Sequence, residues 1–132
     1  MKRAAFFFAA AAIGLVCWVV NDLAMATGSL DGQTFLGEVG KKGQAKGDKD
    51  TFIFREGKFR STACDPYGFK EVAYQTASAG NSTTFQATAV SPTDGQMFWK
   101  GTVKGNAVEG TTTWLKPGKQ PVENWFKGKL KK

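Results

Sequence analysis

The chain reads as all-β, an eight-stranded antiparallel up-and-down barrel that follows a cleaved signal peptide. Three observations carry that reading. After residue 26, apolar and polar side chains alternate in short runs bounded by Gly, Asn, Asp and Pro, which is the strand-and-turn pattern. The breaks between runs are short, so consecutive strands must pair antiparallel in order of sequence. Four of the runs also carry a glycine on the face that bears their aromatic or aliphatic residues, and curved or closed sheets need such kinks.

Residues 1–26 have the three-part layout of a secretory leader. Lys2 and Arg3 start it, Ala4 to Val20 runs seventeen residues without a charge, and Ala24-Met25-Ala26 offers small residues at a cleavage site. A retained membrane anchor needs about 20 apolar residues. Here Asn21-Asp22 closes the run sooner. A lipoprotein site at Cys17 is rejected, because Val16 occupies the place where a small residue is required. The expectation is a single barrel domain over 27–132, exported to the periplasm or secreted, with no transmembrane span in the mature chain.

Cleavage takes Lys2, Arg3 and Asp22, so a net charge of +7 becomes +6. It also takes Cys17, leaving Cys64 without an internal disulfide partner. The fold then rests on its core, which a chain of this length can supply. The thiol is either buried and inert or free to pair with another chain.

Strands are expected over 33–39, 51–55, 58–63, 69–78, 83–90, 96–104, 107–115 and 122–130. Glu56-Gly57 and Gly105-Asn106 read as two-residue hairpin turns, where positive φ is required. Ala79-Gly80-Asn81-Ser82 and Ser91-Pro92-Thr93-Asp94-Gly95 read as longer turns. Asn81-Ser82-Thr83 also matches a glycosylation acceptor, which matters only in a host that glycosylates. The glycine echo runs through Phe35-x-Gly37, Trp99-x-Gly101, Val108-x-Gly110 and Phe126-x-Gly128.

On this pattern, over about residues 31–130, the chain resembles the calycin group, the small lipocalin-like and avidin-like barrels. The lipocalin Gly-x-Trp signature is absent, since Gly32-Gln33-Thr34-Phe35 stands in its place. No segment after the eighth strand supplies the lipocalin helix, so the resemblance implies a shorter, avidin-like barrel. It carries no binding residue onto this chain. An outer-membrane barrel is excluded by Lys100, Glu109, Lys127 and Lys129, which fall mid-strand on the face that lipid would cover.

Phe52, Phe54, Tyr74, Trp99 and Trp114 share the interior parity, along with Phe35, Phe59, Phe85 and Phe126. They read either as a cup for a small apolar or aromatic ligand or as plain core, because eight strands enclose little more than their own side chains. Phe98 and Trp125 fall on the outer parity. They form a contact patch, lie under the 116–121 loop, or mark a register slip. Lys41, Lys42 and Lys46 lie in the glycine- and lysine-rich stretch 40–50, which suits an anionic envelope component or serves only solubility. Asp65-Pro66-Tyr67-Gly68 reads as a turn, with Tyr67 and Phe69 closing one end of the barrel.

The chain has no histidine, which removes histidine-based nucleophile systems and the usual zinc sites. No carboxylate pair is spaced for acid–base work, so no enzyme, cofactor or metal is expected. Export and the lack of a basic–aromatic motif argue against nucleic acid, despite a pI near 9.5. The functional expectation is a non-catalytic barrel that binds a small apolar or aromatic ligand or an envelope component. The alternative is a protein-binding module, an inhibitor or assembly factor, that works through its outer surface and loops.

Overall fold

The computed structural model describes residues 28–132, so the leader expected over 1–26 lies outside the described residues. Eight strands close into one antiparallel barrel in chain order, with β8 returning to β1. They are β1 (Thr34–Lys41), β2 (Asp48–Arg55), β3 (Lys58–Ser61), β4 (Val72–Ala79), β5 (Ser82–Ser91), β6 (Gly95–Lys104), β7 (Ala107–Leu115) and β8 (Val122–Leu130). Alternation dictates the faces. Along β5, Phe85, Ala87 and Ala89 are buried while Gln86, Thr88 and Val90 are exposed, and β6 repeats the pattern with Met97, Trp99 and Val103 inside.

Turn chemistry matches the short connections. At the β2–β3 hairpin both central residues have positive φ, Glu56 at 52° and Gly57 at 75°. The first is costly for a glutamate, and the glycine beside it supplies the freedom that the turn requires. Gly105 turns β6 into β7 at a φ of 60°.

The kinked glycines meet in pairs. Gly37 faces Gly128 across β1 and β8, and Gly101 faces Gly110 across β6 and β7. A Cβ on Gly37 would collide with the carbonyl oxygen of Lys127, so the backbone approach there depends on glycine. At the second pair a ring also presses on both positions, although the Lys100 carbonyl lies nearer to Gly110. A Cβ on Gly101 would lie 2.6 Å from Phe126 and one on Gly110 would lie 2.8 Å from it.

The lower part of the interior is solid with rings. Phe54 lies 5.1 Å from Phe59, 5.0 Å from Tyr74 and 4.9 Å from Phe85, measured between centroids. Phe126 sits 5.2 Å from Phe52 and 5.1 Å from Trp99. Most of these pairs are tilted or edge-on, the arrangement favoured by the ring quadrupole.

Four boundaries move by two residues or more from the sequence expectation, the first being the end of β1, which runs to Lys41 rather than 39. Strand β2 begins at Asp48 rather than 51, because Asp48, Lys49 and Asp50 pair with Val39, Glu38 and Gly37. The lysine-rich loop therefore shrinks to 42–47. Strand β3 stops at Ser61, and Thr62–Tyr67 forms a short 3-10 segment, so β4 starts at Val72. Gly68, at a φ of 87°, ends that segment and donates its N–H to Asp65 O at 3.0 Å, which makes the expected turn. The wall is unevenly joined. Two residue pairs link β3 to β4, whereas ten link β5 to β6.

Candidate functional site: a cup at the open end

The two ends of the barrel are built differently. At one end the connections are tight hairpins, and the chain ahead of β1 folds across them as a stopper. Leu30 is buried, its N–H donates to Tyr74 Oη at 3.0 Å, and Tyr74 Oη donates to Asp31 Oδ1 at 2.7 Å. The Asp31 carboxylate also accepts from the N–H of Gly57 in the β2–β3 turn, at 3.0 and 2.9 Å. Burial, and the bond to Asp31, hold the Tyr74 phenol above its ordinary pKa.

Longer connections gather at the other end: the 42–47 loop, the 3-10 segment, the turn after β5 and the 116–121 loop. The 42–47 loop and the 3-10 segment line a cup of about 680 Å³ there. Its wall is built in levels by the strand register. At the deeper level Trp99, Thr112 and Asn124 stand side by side on β6, β7 and β8, and one step higher stand Met97, Trp114 and Val122. Phe69 and the Tyr67 ring close the opposite side, with the Tyr67 ring 6.1 Å from Trp114.

Thr112 is the unusual member. Its side chain is 1% exposed, and Oγ1 has no hydrogen-bond partner. An unmet buried hydroxyl costs about 1–3 kcal/mol. It is therefore an observation that asks for a reason. Trp114, in contrast, is anchored, its Nε1–H donating to Asp94 O at 2.6 Å.

The 3-10 segment is fastened over the cup by Asp50. This residue has the interior parity of Phe52 and Phe54, and its carboxylate accepts from Ser61 Oγ, Ala63 N at 3.0 Å and Thr51 N at 2.7 Å. Burial raises its pKa above the ordinary 3.8, and the hydrogen bonds oppose that rise. Arg60 grips Asp65 with two guanidinium nitrogens, and Ser91 Oγ donates to Tyr67 O at 2.7 Å. Cys64, half-buried within the segment, is a free thiol whose pKa burial pushes up to about 11. A thiol held protonated is a poor nucleophile.

The structure separates the aromatic residues singled out from the sequence. Phe52, Phe54 and Tyr74 are fully buried in the ring cluster below the cup, while Trp99 and Trp114 line it. Lys41 and Lys46 stand at its rim, whereas Lys42 is turned to Glu123 at 3.3 Å. Outside, β7 runs between Phe98 and Trp125, which register with Thr113 and Thr111 respectively. Trp125 lies under the 42–47 loop rather than the 116–121 loop, donating Nε1–H to Gln44 O at 2.8 Å. Phe98 is partly exposed, flanked by the exposed Val90 and Leu115 across the neighbouring register. Sequence reasoning missed Thr112, Asn124 and Asp50. The parity of Val108, Gly110 and Trp114 assigns Thr112 to the interior, and that was the available signal.

Among the described residues there is no cluster of His, Cys, Asp and Glu suited to a metal ion, and no helix is long and apolar enough to cross a membrane. No family model, curated protein or solved structure matches the chain.

Proposed function

We propose that this barrel is an exported, non-catalytic binding protein whose cup takes a small apolar or aromatic ligand. One observation carries the reading: the unpartnered Thr112 hydroxyl, buried in a wall of tryptophan rings at the open end of an otherwise filled barrel. Concave, largely apolar sites with a few convergent polar groups are the usual form of small-molecule pockets. The calycin-like architecture supports it too, since such barrels enclose ligands at one mouth. Two reactive groups near the cup are disarmed: the Asp50 carboxylate is tied to the 3-10 segment, and the Cys64 thiol is protonated.

The test is a fluorescence titration of the full chain with anilinonaphthalene sulfonate. Saturable one-to-one binding is expected, with a dissociation constant on the order of 10–100 µM for a ligand of that size. Trp114→Ala should weaken it about tenfold. Absence of saturation, or indifference to Trp114→Ala, defeats the proposal.

The Phe98, Val90 and Leu115 surface favours a second reading, a protein-binding module that uses its outer wall. Under that reading Phe98→Ser abolishes the protein's biological effect while leaving the probe titration untouched.

A further inference from the structure

The deeper level of the wall continues for one more strand. Trp99 stands opposite Thr112, Thr112 opposite Asn124, and Asn124 opposite Lys41 on β1, so one row crosses β6, β7, β8 and β1. Lys41 keeps the interior parity of Phe35 and Val39, which aims it over the mouth. Exposure rises along the row, with Thr112 buried, Asn124 half-buried and Lys41 exposed. Polarity rises in step, from hydroxyl to amide to ammonium. The facing side is aromatic, formed by Phe69 and the Tyr67 ring, while Met97 and Trp114 stand one step above Trp99 and Thr112 on the same wall.

Charge at the rim is unevenly matched. Lys42 and Lys116 are ion-paired to Glu123 and Asp94, but Lys41 and Lys46 join no ion pair among the described residues. Asp48 is the rim's opposing carboxylate, and it leaves one positive charge over. A hydroxyl can donate or accept, so Thr112 suits a phenol or a carbonyl. A charged group at that depth would be desolvated against Trp99 with no counter-ion.

Resting on the reading of the cup as a ligand site, we infer that its ligand is a planar aromatic acid bound lengthwise. A neutral phenol or carbonyl group lies against Thr112, the ring lies between the aromatic wall and Asn124, and the carboxylate lies at Lys41 and Lys46.

Calorimetry of the full chain with four probes on one ring system tests this: para-hydroxycinnamate, cinnamate and the methyl ester of each. Para-hydroxycinnamate should bind tightest, and loss of either polar group should weaken binding about five- to tenfold, the worth of one hydrogen bond or one partly exposed charge contact. Thr112→Val should erase the preference for the hydroxylated probes and spare the preference for acids. Lys41→Gln with Lys46→Gln should do the reverse. Equal binding of all four probes overturns the inference and leaves the cup reading standing. So does a hydroxyl preference that survives Thr112→Val, or binding of anilinonaphthalene sulfonate with none of the four. If neither that dye nor any cinnamate binds, both readings fall.

Discussion

Gly101 and Gly110 face each other across β6 and β7, and the ring of Phe126 packs within 3 Å of where either Cβ would stand. A residue absent from both strands thus decides where a ring on a third strand can lie. The two glycines differ in what surrounds them. A Cβ on Gly101 would press on the rings of Phe126 and Phe85, whereas one on Gly110 would strike the carbonyl of Lys100.

Gly101→Ala should destabilise the barrel by about 1–3 kcal/mol, the usual cost of overpacking. Adding Phe126→Leu should recover part of it, because the ring is the obstacle. Gly110→Ala should cost as much or more and gain nothing from the same partner change, since backbone cannot retreat. Urea unfolding of the four variants reads both terms, and equal rescue in both pairs would refute the distinction.

Thr112→Val is expected to raise stability by about 1–2 kcal/mol in the unliganded protein, because it removes a buried hydroxyl with no partner. Most core substitutions do the opposite. A lower unfolding midpoint in Thr112→Val would show that the hydroxyl is satisfied.

Asp50 should make the protein prefer mild acid. Its native pKa is raised above the ordinary 3.8, so between those two values the native state holds more protons than the unfolded one. Stability contributed by this group is then full below 3.8 and falls as pH rises through the native value. The stability of the natural protein relative to Asp50→Asn should accordingly be most favourable near pH 3.5 and shrink by pH 7. Urea midpoints at the two pH values test the sign, and a difference that grows with pH contradicts it.

Cys64 should resist alkylation. Raising a thiol pKa from 9.0 to about 11 lowers the thiolate fraction about a hundredfold at pH 8. Iodoacetamide should react at least that much more slowly with the folded chain than with the chain in urea. Above pH 9 the same shift predicts falling stability, because the unfolded state releases its thiol proton first. Comparable rates in the two states would sink both statements.

The exposed lysines of the 42–47 loop and of β8 should hold the protein weakly to anionic surfaces. Sedimentation with anionic vesicles is expected at low ionic strength and should fade as the Debye length falls below about 8 Å. Binding unchanged in high salt would point to specific contacts instead.

Alternation sufficed to locate β5, β6, β7 and β8 almost to the residue, because each strand is buried on one face. The parity of Gly37, Gly101, Gly110 and Gly128 marked the wall as bent before any register was known. Two kinds of feature were hidden. Asp48-Lys49-Asp50 looks like loop, and only pairing with β1 makes it strand. Asp50 is tolerable inside because Ser61 and Ala63 fold back to meet it, which no local pattern displays. Of the cup, Trp99 and Trp114 were legible by type, but the loneliness of Thr112 and the inward aim of Lys41 exist only once four strands stand in register.

The two residue pairs between β3 and β4 give the cylinder a clasp. Elsewhere around the wall, opening means breaking four to ten residue pairs, but here it means releasing only Lys58 and Phe59 from Ala73 and Val72. Thermal breathing takes the cheapest route, so amide exchange in these strands should run ahead of the long β5–β6 hairpin. Fluctuations of the whole molecule are thereby channelled to one line, beside the flap that Asp50 fastens. The rest of the wall keeps its shape while that line gives.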